Sequence, residues 1–128
     1  MSKQSPILVV DDNIVNRSLL LAYLTKHGHK VEIAHNGYEA VAAVRANNYA
    51  LILMDVQMPI KDGIQATKEI RKLPEPKRLV PIIAISADTT GEHVHNFKDC
   101  GFNNQLPKPI DFEELARYIE LYKIEPIM

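Results

Sequence analysis

Three aspartates, a serine and a lysine each close a short apolar run. Ile-Leu-Val-Val stops at Asp11-Asp12, Leu-Ile-Leu-Met stops at Asp55, and Pro81–Ile85 stops at Ser86. A weaker run around Phe102–Leu106 leads into Lys108-Pro109. Three carboxylates brought together repel one another, and without compensation at least one would have its pKa raised. A hard divalent cation relieves that repulsion. Mg²⁺ suits a site with few carboxylates, retained waters and a phosphate ligand. In such a site the Lys108 ammonium offsets charge on one phosphoryl oxygen, and the Ser86 hydroxyl or backbone N–H groups reach another. Asp55 is the candidate nucleophile, because its strand would be central, and carboxylate attack on phosphorus gives an acyl phosphate. Taken singly, each residue has a plainer reading: a turn or helix-cap aspartate, a cap hydroxyl, a solvated surface lysine. Their joint placement at the ends of apolar runs favours chemistry.

The elements that must bring them together are legible in the spacing. Five apolar runs recur, at Ile7–Val10, Val31–Ala34, Leu51–Met54, Pro81–Ile85 and around Phe102–Leu106. The first, third and fourth are continuous rather than alternating, as expected for parallel strands buried on both faces. Helical stripes separate them: Leu20, Tyr23 and Leu24; Ala40, Val41 and Val44; Ile64, Thr67 and Ile70; Leu115, Tyr118, Ile119 and Tyr122. A fourth helix over roughly residues 90–99 is the weakest, with Gly91 in its first turn and only Val94 and Phe97 as strong apolar anchors. Asn36 with Glu39, Thr89 with Glu92 and Asp111 with Glu114 have capping-box spacing. Five alternations of strand and helix imply an α/β, (βα)₅ doubly wound parallel sheet with the flavodoxin-like order 2-1-3-4-5. In that architecture ligands bind beyond the carboxyl ends of the strands, where strand order reverses.

Length and composition narrow the class. The 128 residues fit one domain, expected to span 1–128 without a linker or repeat, so an effector would lie on another chain or outside this sequence. A formal net charge of −1 gives no field for nucleic acid or an anionic membrane. No apolar run approaches membrane-spanning length. The one cysteine, Cys100, cannot form an internal disulfide, and the expected setting is cytoplasmic.

Four stretches together resemble the receiver domains of response regulators, over nearly the whole chain. They are Val9-Val10-Asp11-Asp12-Asn13, Leu53-Met54-Asp55-Val56-Gln57-Met58-Pro59-Ile60-Lys61-Asp62-Gly63, Ile83-Ala84-Ile85-Ser86-Ala87 and Leu106-Pro107-Lys108-Pro109-Ile110. The resemblance implies a two-component, phosphorelay switch that takes a phosphoryl group on Asp55 from a sensor histidine kinase or histidine phosphotransfer protein and slowly loses it to water. Such a domain catalyses its own phosphorylation and dephosphorylation without being a conventional enzyme, and signals to a downstream effector. The family pattern implies that Asp12 binds Mg²⁺ directly, Asp11 through water, and that the Gln57 backbone carbonyl completes the ligands. It also implies that Lys108 pairs with the phosphoryl group, that Ser86 swings towards it, and that Lys108–Pro109 is cis. The Asp11-Asp12-Asn13, Asn16-Arg17 and Met54–Pro59 wording is similar to receivers of hybrid histidine kinases.

One departure stands out. Receivers usually carry Tyr or Phe at the position of Gln105, where the ring rotates inward as the serine or threonine moves. Chemistry at Asp55 is expected to survive, with a different relay to the output face. An unphosphorylated pseudo-receiver acting as an interaction module is the alternative, against which the retained Asp11, Asp12, Asp55, Ser86 and Lys108 argue. A flavin-binding or phosphohydrolase domain on a similar sheet is a further alternative, but the loop after strand one is Asp-Asp-Asn, not Gly/Ser/Thr-rich. His93 and His95 are two apart and would not share a helix face, and His27, His29 and His35 lie in or near turns. Lys61, at an exposed loop position close to Asp55, reads as a plain surface lysine, with tuning of phosphodonor approach or kinase choice as the alternative, and Cys100 reads as a small packed residue.

Overall fold

The computed structural model describes residues 5–87 and 96–126, with Asn96 described by its backbone alone. The element order is β1 (Ile7–Val10), α1 (Ile14–Lys26), β2 (Val31–Ala34), α2 (Gly37–Ala46), β3 (Leu51–Asp55), α3 (Gly63–Ile70), a 3₁₀ turn (Lys77–Leu79), β4 (Ile82–Ser86), α4 (Asn96–Asp99), β5 (Asn104–Pro107) and α5 (Phe112–Leu121). All strand pairs are parallel, in the order β2-β1-β3-β4-β5. This is the expected (βα)₅ doubly wound sheet, and among the described residues no helix is long and apolar enough to cross a membrane.

The continuous apolar runs bury both faces of the central strands because successive side chains point to opposite sides. Leu8, Val10, Ile52, Met54, Ile82 and Ala84 face the layer that includes Val41, Val44, Ala66, Ile70 and Phe97. Ile7, Val9, Leu51, Leu53, Ile83 and Ile85 face the opposite layer, with Leu20, Leu24 and Leu115. Strand β2 is at the edge and accordingly half-exposed over Val31–Ile33. Its Glu32 is tied inward by the buried Tyr49 hydroxyl, which donates at 2.7 Å.

Helix starts follow local chemistry. Asn13 caps α1 by accepting from the N–H groups of Val15 and Asn16, at 2.9 and 3.1 Å. Asn36 caps α2 through Glu39 N–H, but the Glu39 carboxylate turns to the His35 N–H and ring rather than completing a box. Asp111 caps α5 through the N–H groups of Glu113 and Glu114. The reciprocal box lies instead at Asp62 and Gln65, opening α3. The Thr89–Glu92 pair, Gly91, His93, Val94 and His95 lie outside the described residues.

Half-buried cations lock the elements that carry the site. The Arg71 guanidinium donates to the carbonyls of Gly101 (2.9 Å) and Val80 (2.6 Å) and to Asn103 Oδ1 (2.8 Å). Asn103 Oδ1 also accepts from Ile82 N–H, so one arginine joins α3 to the entries of β4 and β5. Lys77 Nζ donates to the Val44 and Asn47 carbonyls, closing the carboxyl end of α2.

Candidate phosphoryl-acceptor site

Each sequence candidate falls at the carboxyl edge of the sheet. Asp11 follows β1, Asp55 ends β3, Ser86 ends β4 and Lys108 follows β5. Register makes this convergence, since Val10 pairs with Met54, Asp55 with Ile85, and Ser86 with Pro107. Carboxylate oxygens of Asp11, Asp12 and Asp55 lie within 4.8 Å of one another. Asp11 and Asp55 are each 1% exposed and Ser86 is buried, whereas Asp12 stands in solvent at the rim.

Partial compensation comes from several donors. Lys108 Nζ is 3.1 Å from Asp55 Oδ1 and 3.8 Å from Asp11 Oδ2. Gln57 N–H donates to Asp55 Oδ1 at 3.2 Å, and Asn13 N–H donates to Asp11 Oδ1 at 2.8 Å. The Arg17 guanidinium holds the Asp11 carbonyl at 3.0 Å. Lys108 N–H donates to the Ser86 carbonyl, fastening the lysine loop to β4. Lys108–Pro109 is cis, as the resemblance implies, and Glu75–Pro76 is cis as well.

Compensation is incomplete. Asp11 Oδ2 and Asp55 Oδ2 are buried without a hydrogen-bond partner among the described residues. Burial, and then the charge of Asp11, push the Asp55 carboxyl up to about 6, against the pull of Lys108 and the Gln57 N–H. Two orphaned carboxylate oxygens beside an exposed third aspartate are an oxygen-rich donor set short of positive charge. That is the chemistry a hard divalent cation fits, so the residues present suit Mg²⁺.

The loop from β3 to α3 shapes one wall. A Cβ on Gly63 would collide with the Asp55 carbonyl and Met54 Cγ, so only glycine lets α3 start this close to the acceptor strand. A groove beside Ser86 is lined by Val56, Met58, Pro59, Ile64 and Phe97, together with the polar Gln57 and Asp62. At the departure position, Gln105 is half-buried, and its carbonyl accepts from the Tyr118 hydroxyl of α5 at 3.2 Å.

Lys61 departs from its sequence reading. Its side chain is only 12% exposed, pairs with Glu69 at 2.6 Å and lies 4.7 Å from the centroid of the Tyr38 ring. No periodic pattern signals this, because the three residues sit on α2, α3 and the loop between β3 and α3. Arg17 is likewise invisible as a brace until α1 is folded against Asp11. Cys100 packs against the core as expected, and His29, expected in a turn, is buried.

Comparison with known proteins agrees with this geometry. The family model described as "Response regulator receiver domain" matches residues 7–120. The peroxide stress-activated histidine kinase mak1 of Schizosaccharomyces pombe is 40% identical over 118 residues, covering 88% of this chain and 7% of that protein. This chain spans between 4% and 16% of the length of eight of the curated relatives it matches, all histidine or sensor kinases by name. The receiver domain of the sensor histidine kinase PA1611 from Pseudomonas aeruginosa PAO1, solved with a magnesium ion in its active-site cleft, superposes with a TM-score of 0.84. It is 37% identical and covers 92% of this chain and 96% of its own. The receiver domain of Saccharomyces cerevisiae Ssk1, solved with the histidine phosphotransfer protein Ypd1, gives a TM-score of 0.83 at 30% identity, covering 92% of this chain and 88% of its own.

Proposed function

This chain belongs to the response regulator receiver domain family, a family of phosphorelay signalling modules, and from that premise we propose that Asp55 is its phosphoacceptor. The observation that carries the assignment is a buried carboxylate at the end of the central strand, with Lys108 Nζ 3.1 Å from one oxygen and the other oxygen unpartnered among the described residues. In the reaction an Asp55 oxygen attacks phosphorus, the O–P bond forms, and the P–N bond of a phosphohistidine breaks. The electron pair returns to the imidazole nitrogen, and the ring leaves neutral because the proton on its other nitrogen stays with it. Asp55 must be ionised to attack, and a carboxyl at about 6 is mostly ionised at pH 7.

Asp11, Asp12, Asp55 and the Gln57 backbone carbonyl are the groups that would hold Mg²⁺, which when bound neutralises charge shared by the carboxylates and the phosphoryl oxygens. Lys108 already contacts Asp55, and on this reading it pairs with a phosphoryl oxygen as the charge on Asp55 passes to phosphate. Ser86, buried at the end of β4, is the second group that reads the modification. Its hydroxyl, with Lys108, must favour the active arrangement by a few kcal/mol for the switch to move a population. Gln105 in place of an aromatic means that the movement reaches the output face by another route, and its carbonyl contact with Tyr118 gives β5 and α5 a direct link.

The phosphodonor on this reading is a sensor histidine kinase or a histidine phosphotransfer protein, and the output goes to a downstream effector rather than to nucleic acid or a membrane. Exposed Ile14, Val15 and Leu19 on the first turns of α1, next to Asp11 and Asp12, give a protein donor an apolar surface to cover. Residues 1–128 form one such domain, working in the cytoplasm and turning over its own phosphate slowly. The test is incubation with acetyl phosphate and Mg²⁺, reading intact mass beside Asp55→Asn. A phosphate-sized gain that needs metal and is absent from the variant is expected. Equal labelling of the variant removes Asp55 as acceptor, and no labelling of either protein favours the interaction-module alternative.

A further inference from the structure

The loop between β3 and α3 holds one residue in a conformation foreign to its type. Ile60 has φ of +73°, in the left-handed region where a β-branched side chain crowds its own backbone. The Lys61 N–H donates to the Pro59 carbonyl at 2.9 Å, closing a three-residue turn of the strained kind centred on Ile60. Glycine or asparagine would sit there more comfortably. Burial does not explain the isoleucine either, for at 79% it is the most exposed large hydrophobic side chain among the described residues.

The neighbouring residue holds this turn in place. The Lys61 carbonyl accepts from Gly37 N–H at 3.0 Å, and a Cβ on Gly37 would stand 2.5 Å from that carbonyl oxygen. The Lys61 ammonium is paired with Glu69 and seated on Tyr38. Helices α2 and α3 thus both grip residue 61, while residue 60 is left outside at a cost in backbone strain. Strain that persists in a well-braced loop beside a reactive group points to a use for the side chain.

Asp55 is almost wholly buried, and Pro59 and Asp62, on either side of the turn at Ile60, line the groove beside Ser86. A phosphohistidine carried by a protein reaches it only if the surrounding donor surface closes over this loop. We propose that Ile60 is a preorganised anchor for the protein phosphodonor, packing against apolar surface beside the donor histidine. This rests on the phosphoacceptor reading of Asp55. The brace on Lys61 means that little order is lost on docking, which is how rigidity turns into affinity. A small donor such as acetyl phosphate gains nothing from the contact, so Ile60 separates protein donors from small ones.

The experiment compares wild type, Ile60→Asn and Ile60→Val, each with acetyl phosphate and with phosphorylated Ypd1. All three are expected to react equally with acetyl phosphate. Transfer from Ypd1 to Ile60→Asn is expected to fall about tenfold in kcat/KM, a typical loss for one apolar anchor, with Ile60→Val near wild type. The thermal midpoint of Ile60→Asn should hold or rise, because the strain is relieved while the core is untouched. Equal transfer to Ile60→Asn and wild type overturns the proposal, as does wild type that takes phosphate from acetyl phosphate but not from Ypd1. Ile60-dependent self-association in sedimentation overturns it too, assigning the side chain to a second copy of this chain. Failure of wild type with acetyl phosphate is a separate result, and it removes the phosphoacceptor reading itself.

Discussion

Replacing Asp55 with asparagine should make the metal-free domain more stable, although it removes a residue at the centre of the site. The ionised Asp55 carboxylate is buried, faces Asp11, and is only partly compensated by Lys108 and the Gln57 N–H. Its carboxyl is raised from 3.8 to about 6. At about 1.4 kcal/mol per pKa unit, holding that charge in the folded state costs about 3 kcal/mol relative to the unfolded chain. The sign follows from linkage. A folded pKa above the unfolded one means that the native state binds the proton more tightly, so this group's contribution is fully present below about pH 4. It is lost as pH rises through about 6. Asparagine never ionises and keeps an acceptor oxygen for Gln57. The gain over wild type should therefore be absent near pH 4, grow between pH 4 and 6, and level off by pH 7 at about 1–3 kcal/mol. For a chain of this size that is a rise of about 5–10 °C in Tm. Urea and thermal unfolding in EDTA at pH 4.5, 6 and 7.5 would measure it. Added Mg²⁺ should raise the wild type more than the variant and narrow the gap. An asparagine variant no more stable than wild type at pH 7.5 in EDTA, or a gap that does not shrink towards pH 4.5, would refute the account of an under-compensated acidic cluster.

Three further outcomes follow from buried groups elsewhere. The Thr67 hydroxyl is fully buried without a partner among the described residues, so Thr67→Val should raise unfolding stability by about 1 kcal/mol in urea titrations. Gly63→Ala should destabilise by about 2 kcal/mol or more, because the added Cβ meets the Asp55 carbonyl and Met54, and acetyl phosphate labelling should slow with it. Burial, then the charge of His27, holds the His29 imidazole below its usual 6.5, so the neutral ring supports the fold. That support is present above pH 6.5 and lost as pH falls below it, and His29→Gln should flatten this part of the stability profile.

Periodicity alone carried the fold. The continuous apolar runs at Ile7–Val10, Leu51–Met54 and Pro81–Ile85 have no polar face to give to solvent, so they demand helices on both sides and a parallel sheet. Once that sheet is granted, residues ending the runs must meet at one edge, which is why Asp11, Asp55, Ser86 and Lys108 were legible as a group. The acceptor assignment needs only local order and the parallel rule. The Asp62–Gln65 capping box is equally local, and its spacing is visible in the chain. Other features belong to tertiary structure alone. Lys61 looks like any loop lysine until α2 and α3 bring Tyr38 and Glu69 beside it. Arg71 looks like a solvated helix residue until the carbonyls of Val80 and Gly101 converge on it. The left-handed turn at Ile60 and the two unpaired carboxylate oxygens depend likewise on packing between segments distant in sequence. Sequence patterns record which faces must be dry; which charges are then left without partners is decided only when the helices close over the sheet.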